Sequence, residues 1–142
     1  ANALGAGLFC FPVGTLIKMA DGSEKRIEHI EVGDKVMAWG ENGEEEAEVL
    51  RTMQPHHVEV YNLVCSDAHT MATLSQPLMA EDGEWVTLEN LKMKQKLKNA
   101  GEVHAVSYSG DRWVYDIEVS GSNTYIADGF IAKGGEAAIW QE

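Results

Sequence analysis

The sequence is poor in cysteine. Its 142 residues include only two, Cys10 and Cys65. Two cysteines are too few for the disulfide framework of a small secreted scaffold and too few for a zinc site made of cysteines. A single bridge between Cys10 and Cys65 can form in an oxidising medium, but we expect two free thiols.

Basic side chains are also scarce. Lysine and arginine together number 11 against 23 aspartates and glutamates, which gives a formal net charge of −12. A surface this acidic repels the phosphates of nucleic acids and of anionic lipid headgroups. We therefore expect no nucleic-acid partner and no membrane partner.

Long apolar runs and helical periodicity are missing as well. No apolar run approaches the ~20 residues that a membrane-spanning helix needs. Only residues 88–97 carry apolar side chains at helical spacing, so they form the one helix candidate. The chain begins with Ala1 and shows no signal peptide, so we expect a domain taken from a longer polypeptide, and the sequence assigns it no compartment.

Turn signals between short apolar runs are abundant. Pairs of strands are predicted on either side of Asp21-Gly22, residues 40–43, residues 81–83, Gly110-Asp111 and Asp128-Gly129. Residues 58–65 alternate between apolar and polar and predict a further strand, whereas residues 56 and 57, two histidines after a proline, are expected in a loop. Many short strands joined by tight turns predict a single all-β domain.

Two segments of the sequence recur in the same order. The pattern of residues 27–36 reappears at 88–97, with the apolar positions in register 61 residues later. Residues 60–64 reappear at 114–118, 54 residues later. Two ordered matches predict a duplicated β body with a pseudo-two-fold axis. We expect a composite site where equivalent positions of the two halves meet at that axis.

Several motifs together resemble the Hint domains, the Hedgehog/intein autoprocessing modules that include bacterial intein-like domains. The motifs are Cys-Phe-Pro-Val-Gly-Thr at residues 10–15, Ile-Glu-His-Ile-Glu-Val-Gly-Asp-Lys-Val at 27–36, Thr-Leu-Ser-Gln-Pro-Leu at 73–78, and the segments 113–119 and 123–132. The resemblance covers nearly the whole chain. It implies an all-β, horseshoe-shaped Hint domain at residues 10–134, an N-terminal flanking segment at 1–9 and a C-terminal flanking segment at 135–142.

The resemblance implies a chemistry at the first cysteine. The Cys10 thiol attacks the carbonyl carbon of Phe9, and the peptide bond becomes a thioester in an N–S acyl shift. A side chain of a flanking segment, water or a small external nucleophile then resolves the thioester. Thr73 matches the family's threonine that binds the scissile peptide and the oxyanion, and Asp116 matches the aspartate that assists proton transfer. Taken alone, each would be an ordinary strand residue.

The departures from the family pattern limit this chemistry. Gln76 stands where the family has the histidine of Thr-x-x-His, and an amide cannot donate a proton near neutral pH. Lys133-Gly134 replaces the closing His-Asn pair, so no asparagine can cyclise at this C-terminal junction. Asn123 stands where a closing-block histidine is often found. Full splicing is therefore not expected.

A substitute proton donor is His69. It lies four positions before Thr73, and on an alternating strand the two side chains would share a face. The alternative is an exposed histidine at a strand end. His56 and His57 have no cluster of acidic or cysteine ligands nearby in the sequence, and His29 lies in a polar turn, so we expect no metal site and no cofactor.

The sequence therefore predicts a monomer that acts in cis on its own flanking segments. The expected outcome is N-terminal cleavage or transfer through a thioester at the Phe9–Cys10 bond. One alternative is a degenerate Hint domain that no longer reacts and serves as a structural or interaction module of a larger protein. Another is a cysteine–histidine protease acting on other proteins, although nothing in the sequence indicates an oxyanion pocket open to foreign peptides.

Overall fold

The structure, a computed structural model, describes residues 7–136 and Trp140. Residues 7–136 form short strands and two 3-10 turns. The strands are β1 (Phe11–Pro12), β2 (Leu16–Lys18), β3 (Glu24–Arg26), β4 (Lys35–Gly40), β5 (Gly43–Thr52), β6 (His56–Cys65), β7 (His69–Ala72), β8 (Pro77–Met79), β9 (Trp85–Thr87), β10 (Lys96–Leu97), β11 (Gly101–Tyr115), β12 (Ile117–Val119), β13 (Thr124–Ala127) and β14 (Phe130–Lys133). The 3-10 turns are Ile27–His29 and Leu88–Asn90.

The strands form three antiparallel sheets. One contains β1, β11, β6 and β7 in that order, with β10 paired to β11. The second has the order β12-β5-β4, and the third has the order β3-β2-β13-β14-β8-β9. Within the described residues no helix is long and apolar enough to cross a membrane. The prediction of an all-β fold is confirmed.

The predicted duplication is visible in the pairing of the backbone. An isolated bridge joins Met19 to Val36, and 61 residues later an equivalent bridge joins Ala80 to Leu97. The two 3-10 turns, at Ile27–His29 and Leu88–Asn90, are separated by the same interval. Each half thus contains a hairpin, a 3-10 turn and a bridge in equivalent positions.

The two halves exchange strands. In the second sheet β5 of the first half pairs with β12 of the second, with Val49 opposite Val119. In the first sheet β11 of the second half pairs with β6 of the first, with Val103 opposite Cys65. These pairs are related by 54 residues, and each lies beside a bulge. Because each half completes its sheet with a strand of the other, the halves fold as one body around the axis.

Two groups of buried side chains form the interior. The main core gathers residues from all three sheets, including Ile17, Leu63, Leu78 and Phe130, none of which is more than 1% exposed. A smaller group, which we call the Cys10 cluster, consists of Leu8, Cys10, Met53, Val58, Val60, Val114 and Trp140. Both cysteines are free, as expected. Both are also buried, and Cys65 belongs to the main core.

Three local predictions are wrong. Gly110-Asp111 is not a hairpin turn, because β11 continues from Gly101 to Tyr115 and pairs with β6 on both sides. Gly110, with φ of 120°, takes part in a bulge there. Residues 88–97 form a 3-10 turn that leads into β10 instead of a helix. The histidines at 56 and 57 lie inside β6, because its pairing with β11 extends to Val114.

Candidate active site

Cys10 lies directly before β1 and is completely buried. Its backbone N–H donates a hydrogen bond to Oγ1 of Thr73 at 3.2 Å. In return, the N–H of Thr73 donates to the carbonyl of Cys10 at 3.1 Å. This reciprocal pair fixes the backbone of Cys10 against the end of β7, so the structure brings Cys10 and Thr73 together.

The segment before Cys10 is held by the loop that follows β7. The Thr73 hydroxyl donates to the carbonyl of Leu8 at 2.6 Å, and the Ser75 hydroxyl donates to the same oxygen at 3.1 Å. The N–H of Gly7 donates to Oγ of Ser75 at 2.9 Å. Ser75 was not among the predicted site residues, although its place between Thr73 and residue 76 of the motif was a usable signal.

The Cys10 sulfur lies in an apolar environment. Its Sγ is 3.7 Å from Sδ of Met53, and the neighbouring side chains are those of the Cys10 cluster. Burial raises the pKa of the Cys10 thiol well above its ordinary value, and the negative charge of Asp116 raises it further. The thiol is therefore protonated at neutral pH, and its attack on a carbonyl needs a proton acceptor.

Asp116 lies between β11 and β12 and is 1% exposed. Its Oδ1 accepts a hydrogen bond from the Tyr125 hydroxyl at 2.8 Å. Its Oδ2 accepts from the N–H of Gly135 at 2.7 Å and from Nε1 of Trp140 at 3.2 Å. Burial raises the pKa of the Asp116 carboxyl to about 7, against the opposing effect of these donors. Such a group can both accept and donate a proton near neutral pH.

The donors to Asp116 were not predictable from the sequence. Tyr125 lies on β13, in a different sheet from β11 and β12, and Trp140 lies 24 residues after Asp116. An aromatic residue at either position is typical of a hydrophobic core. The sequence therefore does not indicate that the Tyr125 hydroxyl or the Trp140 indole N–H donates to a carboxyl group. Only the closure of the sheets brings them to one carboxyl.

Gln76 binds the chain at the C-terminal junction. Its Nε2 donates to the carbonyl of Lys133 at 3.0 Å and to the carbonyl of Pro77 at 2.8 Å. Its Oε1 is buried without a hydrogen-bond partner among the described residues. The side chain is fully buried, and its recorded hydrogen bonds go to the C-terminal junction and to Pro77.

Asn123 binds Gly134 and Gly135, the two residues that follow Lys133. Its Nδ2 donates to the carbonyls of Gly134 at 3.0 Å and Gly135 at 3.1 Å, and its Oδ1 accepts from the N–H of Val119 at 2.8 Å. The two glycines leave no room for side chains. A Cβ on Gly134 would lie 2.5 Å from Oδ1 of Asn123, and a Cβ on Gly135 would lie 2.6 Å from Oδ2 of Asp116. As placed, this junction accommodates glycine and no larger residue.

His69 does not share a face with Thr73. It is exposed at the start of β7, opposite Val64, whereas Thr73 is 1% exposed. Alternation fails because β7 ends at Ala72 and the chain turns there. His69 lines a surface groove of about 570 Å³ with Asp128 and the segment after β1. In the part of the chain that the structure describes, no group of three or more His, Cys, Asp and Glu side chains is arranged to hold a metal ion.

Known structures share this architecture. A bacterial intein-like domain from Clostridium thermocellum has a TM-score of 0.79 and 24% identity over 89% of this chain and 99% of that one. A DnaB intein from Synechocystis has a TM-score of 0.78 and 22% identity over 89% and 99%. The gp41-1 intein has a TM-score of 0.74 and 21% identity over 87% and 97%. The chain has the Hint fold. Cys10 is joined to Thr73 by two hydrogen bonds, and the Asp116 carboxyl lies near enough to affect the pKa of the Cys10 thiol.

Sequence comparison adds little to the Hint assignment. No family model matches the chain. A stretch of 28 residues, 20% of the chain, is 68% identical to the catalytic subunit of the V-type proton ATPase from Candida tropicalis. The match spans only 3% of that protein's length, so nothing about its activity carries over to this chain. The predicted pseudo-two-fold Hint fold is nevertheless confirmed by the strand pairing and by the solved structures.

Proposed function

We propose that this chain is a single-turnover autoprocessing domain that cuts its own backbone between Phe9 and Cys10. One observation carries the proposal. The Thr73 hydroxyl accepts the amide N–H of Cys10, which is the nitrogen of the scissile bond, and donates to the carbonyl of Leu8. Thr73 thus forms hydrogen bonds to the backbone on both sides of Phe9. A fixed peptide next to a nucleophile converts a slow encounter into an intramolecular step.

The first step is an acyl shift from nitrogen to sulfur. The Cys10 sulfur forms a bond to the carbonyl carbon of Phe9, and the bond from that carbon to the Cys10 nitrogen breaks. The thiol loses one proton and the departing nitrogen gains one, so the step is balanced without a cofactor. We assign the transfer to Asp116, because its pKa of about 7 suits both acceptance and donation near neutral pH.

The second step resolves the thioester. Residues 134–142 contain no cysteine, serine or threonine, so they offer no hydroxyl or thiol to take the acyl group. Water would give N-terminal cleavage, and a side chain of a longer flanking segment or a small external thiol or amine would give transfer. Gly134 at the junction cannot cyclise as an asparagine would, so the C-terminal segment stays attached to the domain.

A second candidate is an inert Hint domain that serves as a structural module. Two observations favour it. Gln76 stands where the resembling family has a histidine, and a carboxamide cannot donate a proton near neutral pH. Burial also keeps the Cys10 thiol protonated. The two candidates differ in one respect that can be measured, which is whether the Phe9–Cys10 bond breaks.

The test is a fusion of a reporter protein before Ala1, incubated with and without dithiothreitol. We expect thiol-dependent release of a fragment that ends at Phe9, and we expect its loss in Cys10→Ala. Thr73→Val, which keeps the shape of the side chain but removes the hydroxyl, should slow release strongly. Cys65→Ala, the matched control at the other buried thiol, should release at the rate of the unchanged protein. No release over days would leave the inert module as the function.

A further inference from the structure

Part of the surroundings of Cys10 comes from the far end of the chain. Trp140 lies six residues beyond Gly134, and its side chain is 9% exposed. It packs in the Cys10 cluster, together with Leu8, Met53 and Val114. No other member of the cluster follows Val114 in the sequence. Trp140 therefore supplies one wall of the pocket that holds Cys10.

Trp140 also reaches the second group of the site. Its Nε1 donates to Oδ2 of Asp116 at 3.2 Å, the oxygen that accepts the N–H of Gly135 at 2.7 Å. Both donors lie beyond the junction at Lys133 and Gly134. Asp116 is 1% exposed with Trp140 in place. The titratable groups facing this carboxyl are the Tyr125 hydroxyl from β13 and the Cys10 thiol from the segment before β1.

The Trp140 indole accounts for much of the apolar packing in the Cys10 cluster, because the cluster is small. A tryptophan side chain covers on the order of 150–250 Å² of apolar surface, which is a major share of the contact area available to seven residues. Removing it would leave the remaining six open on one side. Water would then reach both the Cys10 sulfur and the Asp116 carboxyl, and the environment that keeps the carboxyl protonated near pH 7 would be lost.

We propose that the C-terminal flanking segment completes the N-terminal site, with Trp140 as a positioning residue that closes the Cys10–Asp116 pocket to solvent. The first chemical step is then coupled to the presence of the C-terminal segment, even though no bond of that segment is cut. The effect on cleavage rests on the function proposed above. The closure of the pocket does not, because it concerns the unreacted protein.

The test measures how fast Cys10 reacts with an aromatic disulfide in the unreacted protein, in a Cys65→Ala background that leaves one thiol. We expect Trp140→Ala to accelerate labelling by on the order of tenfold or more, because a buried thiol reacts only after local opening. Trp140→Phe keeps a ring over the sulfur and should restore most of the protection. The matched control is Trp113→Ala, an exposed tryptophan (55%) on β11, which should leave labelling unchanged.

A second measurement follows N-terminal cleavage at pH 7 in the reporter fusion. We expect Trp140→Ala and a chain ending at Glu136 to be slower than the full chain, with Trp140→Phe between them and Trp113→Ala unchanged. Fast labelling with no cleavage in any variant would support the closure and reject the proposed function. Labelling of Trp140→Ala within twofold of Trp113→Ala, in proteins that both unfold cooperatively in urea, would overturn the closure.

Discussion

The titration of Asp116 should make the domain less stable as pH rises. The pKa of this carboxyl is about 7 in the folded protein, and about 3.9 is usual for an aspartate in an unfolded chain. Between these values the folded protein keeps a proton that the unfolded chain has lost. Raising the pH through this window therefore favours unfolding, and the loss of stability is complete above pH 7.

The size of the effect follows from the shift. Three pKa units correspond to about 4 kcal/mol over the whole window, and about 3 kcal/mol of this falls between pH 5 and pH 8. The group is fully buried, so solvent screening does not reduce the figure. A penalty of this size is a large fraction of the stability of a domain of 142 residues.

The perturbation is Asp116→Asn, which keeps the shape of the side chain and removes the titration. Both proteins carry Cys10→Ala, so that cleavage cannot interfere, and urea unfolding is measured at pH 5 and pH 8. We expect the aspartate protein to lose about 3 kcal/mol more than the asparagine protein over this interval. Equal losses in the two proteins would refute the claim that the folded structure holds this carboxyl protonated.

Three further predictions concern the neighbours of this carboxyl and the C-terminal junction. Gln76→His should raise the rate of N-terminal cleavage in a gel time course, because an imidazole can donate a proton near neutral pH; an unchanged rate would contradict this. Tyr125→Phe removes the donor 2.8 Å from Asp116 and should cost about 1–3 kcal/mol in urea unfolding at pH 8, so a loss below that range would argue against the bond. Gly134→Ala places a Cβ 2.5 Å from Oδ1 of Asn123 and 2.6 Å from the backbone carbonyl oxygen of Ile117, and should cost about 1–3 kcal/mol in urea unfolding; full stability would show that the junction has more room.

Patterns within the sequence were sufficient to predict the architecture. The recurrence of residues 27–36 at 88–97 corresponds to two 3-10 turns and two bridges in equivalent positions. The exchange of strands between the halves was not predictable in the same way. The pairing of β5 with β12 joins segments that are far apart in the sequence, and local patterns do not predict such non-local contacts.

Each wrong local prediction has a physical cause. Gly110-Asp111 has the composition of a turn, but β6 offers a partner strand on both sides of it, and sheet pairing outweighs the local preference. The alternation of side chains between the two faces of a strand ends where the strand ends. Because β7 ends at Ala72, it does not relate His69 to Thr73, and the two residues differ in exposure. At the first place strand pairing outweighed the local sequence, and at the second the end of β7 did.

The sequence predicted that Cys10 and Thr73 lie close together, but it did not predict their surroundings. Cys10 and Thr73 carry recognisable motif positions, and the structure joins them by two hydrogen bonds. The donors to Asp116 come from β13 and from beyond the C-terminal junction. Gly134 fits at the junction because it has no side chain to clash with Asn123. Features of this kind depend on distances between segments that are remote in the sequence.

The most direct test of the proposed chemistry is the mass of the fragment released from the reporter fusion in the presence of dithiothreitol. If a thioester forms at Cys10, the released fragment ends at Phe9 and carries one dithiothreitol in thioester linkage, and treatment with hydroxylamine removes it. The remaining protein then begins with Cys10. A fragment ending at any other residue, or release that persists in Cys10→Ala, would contradict this chemistry.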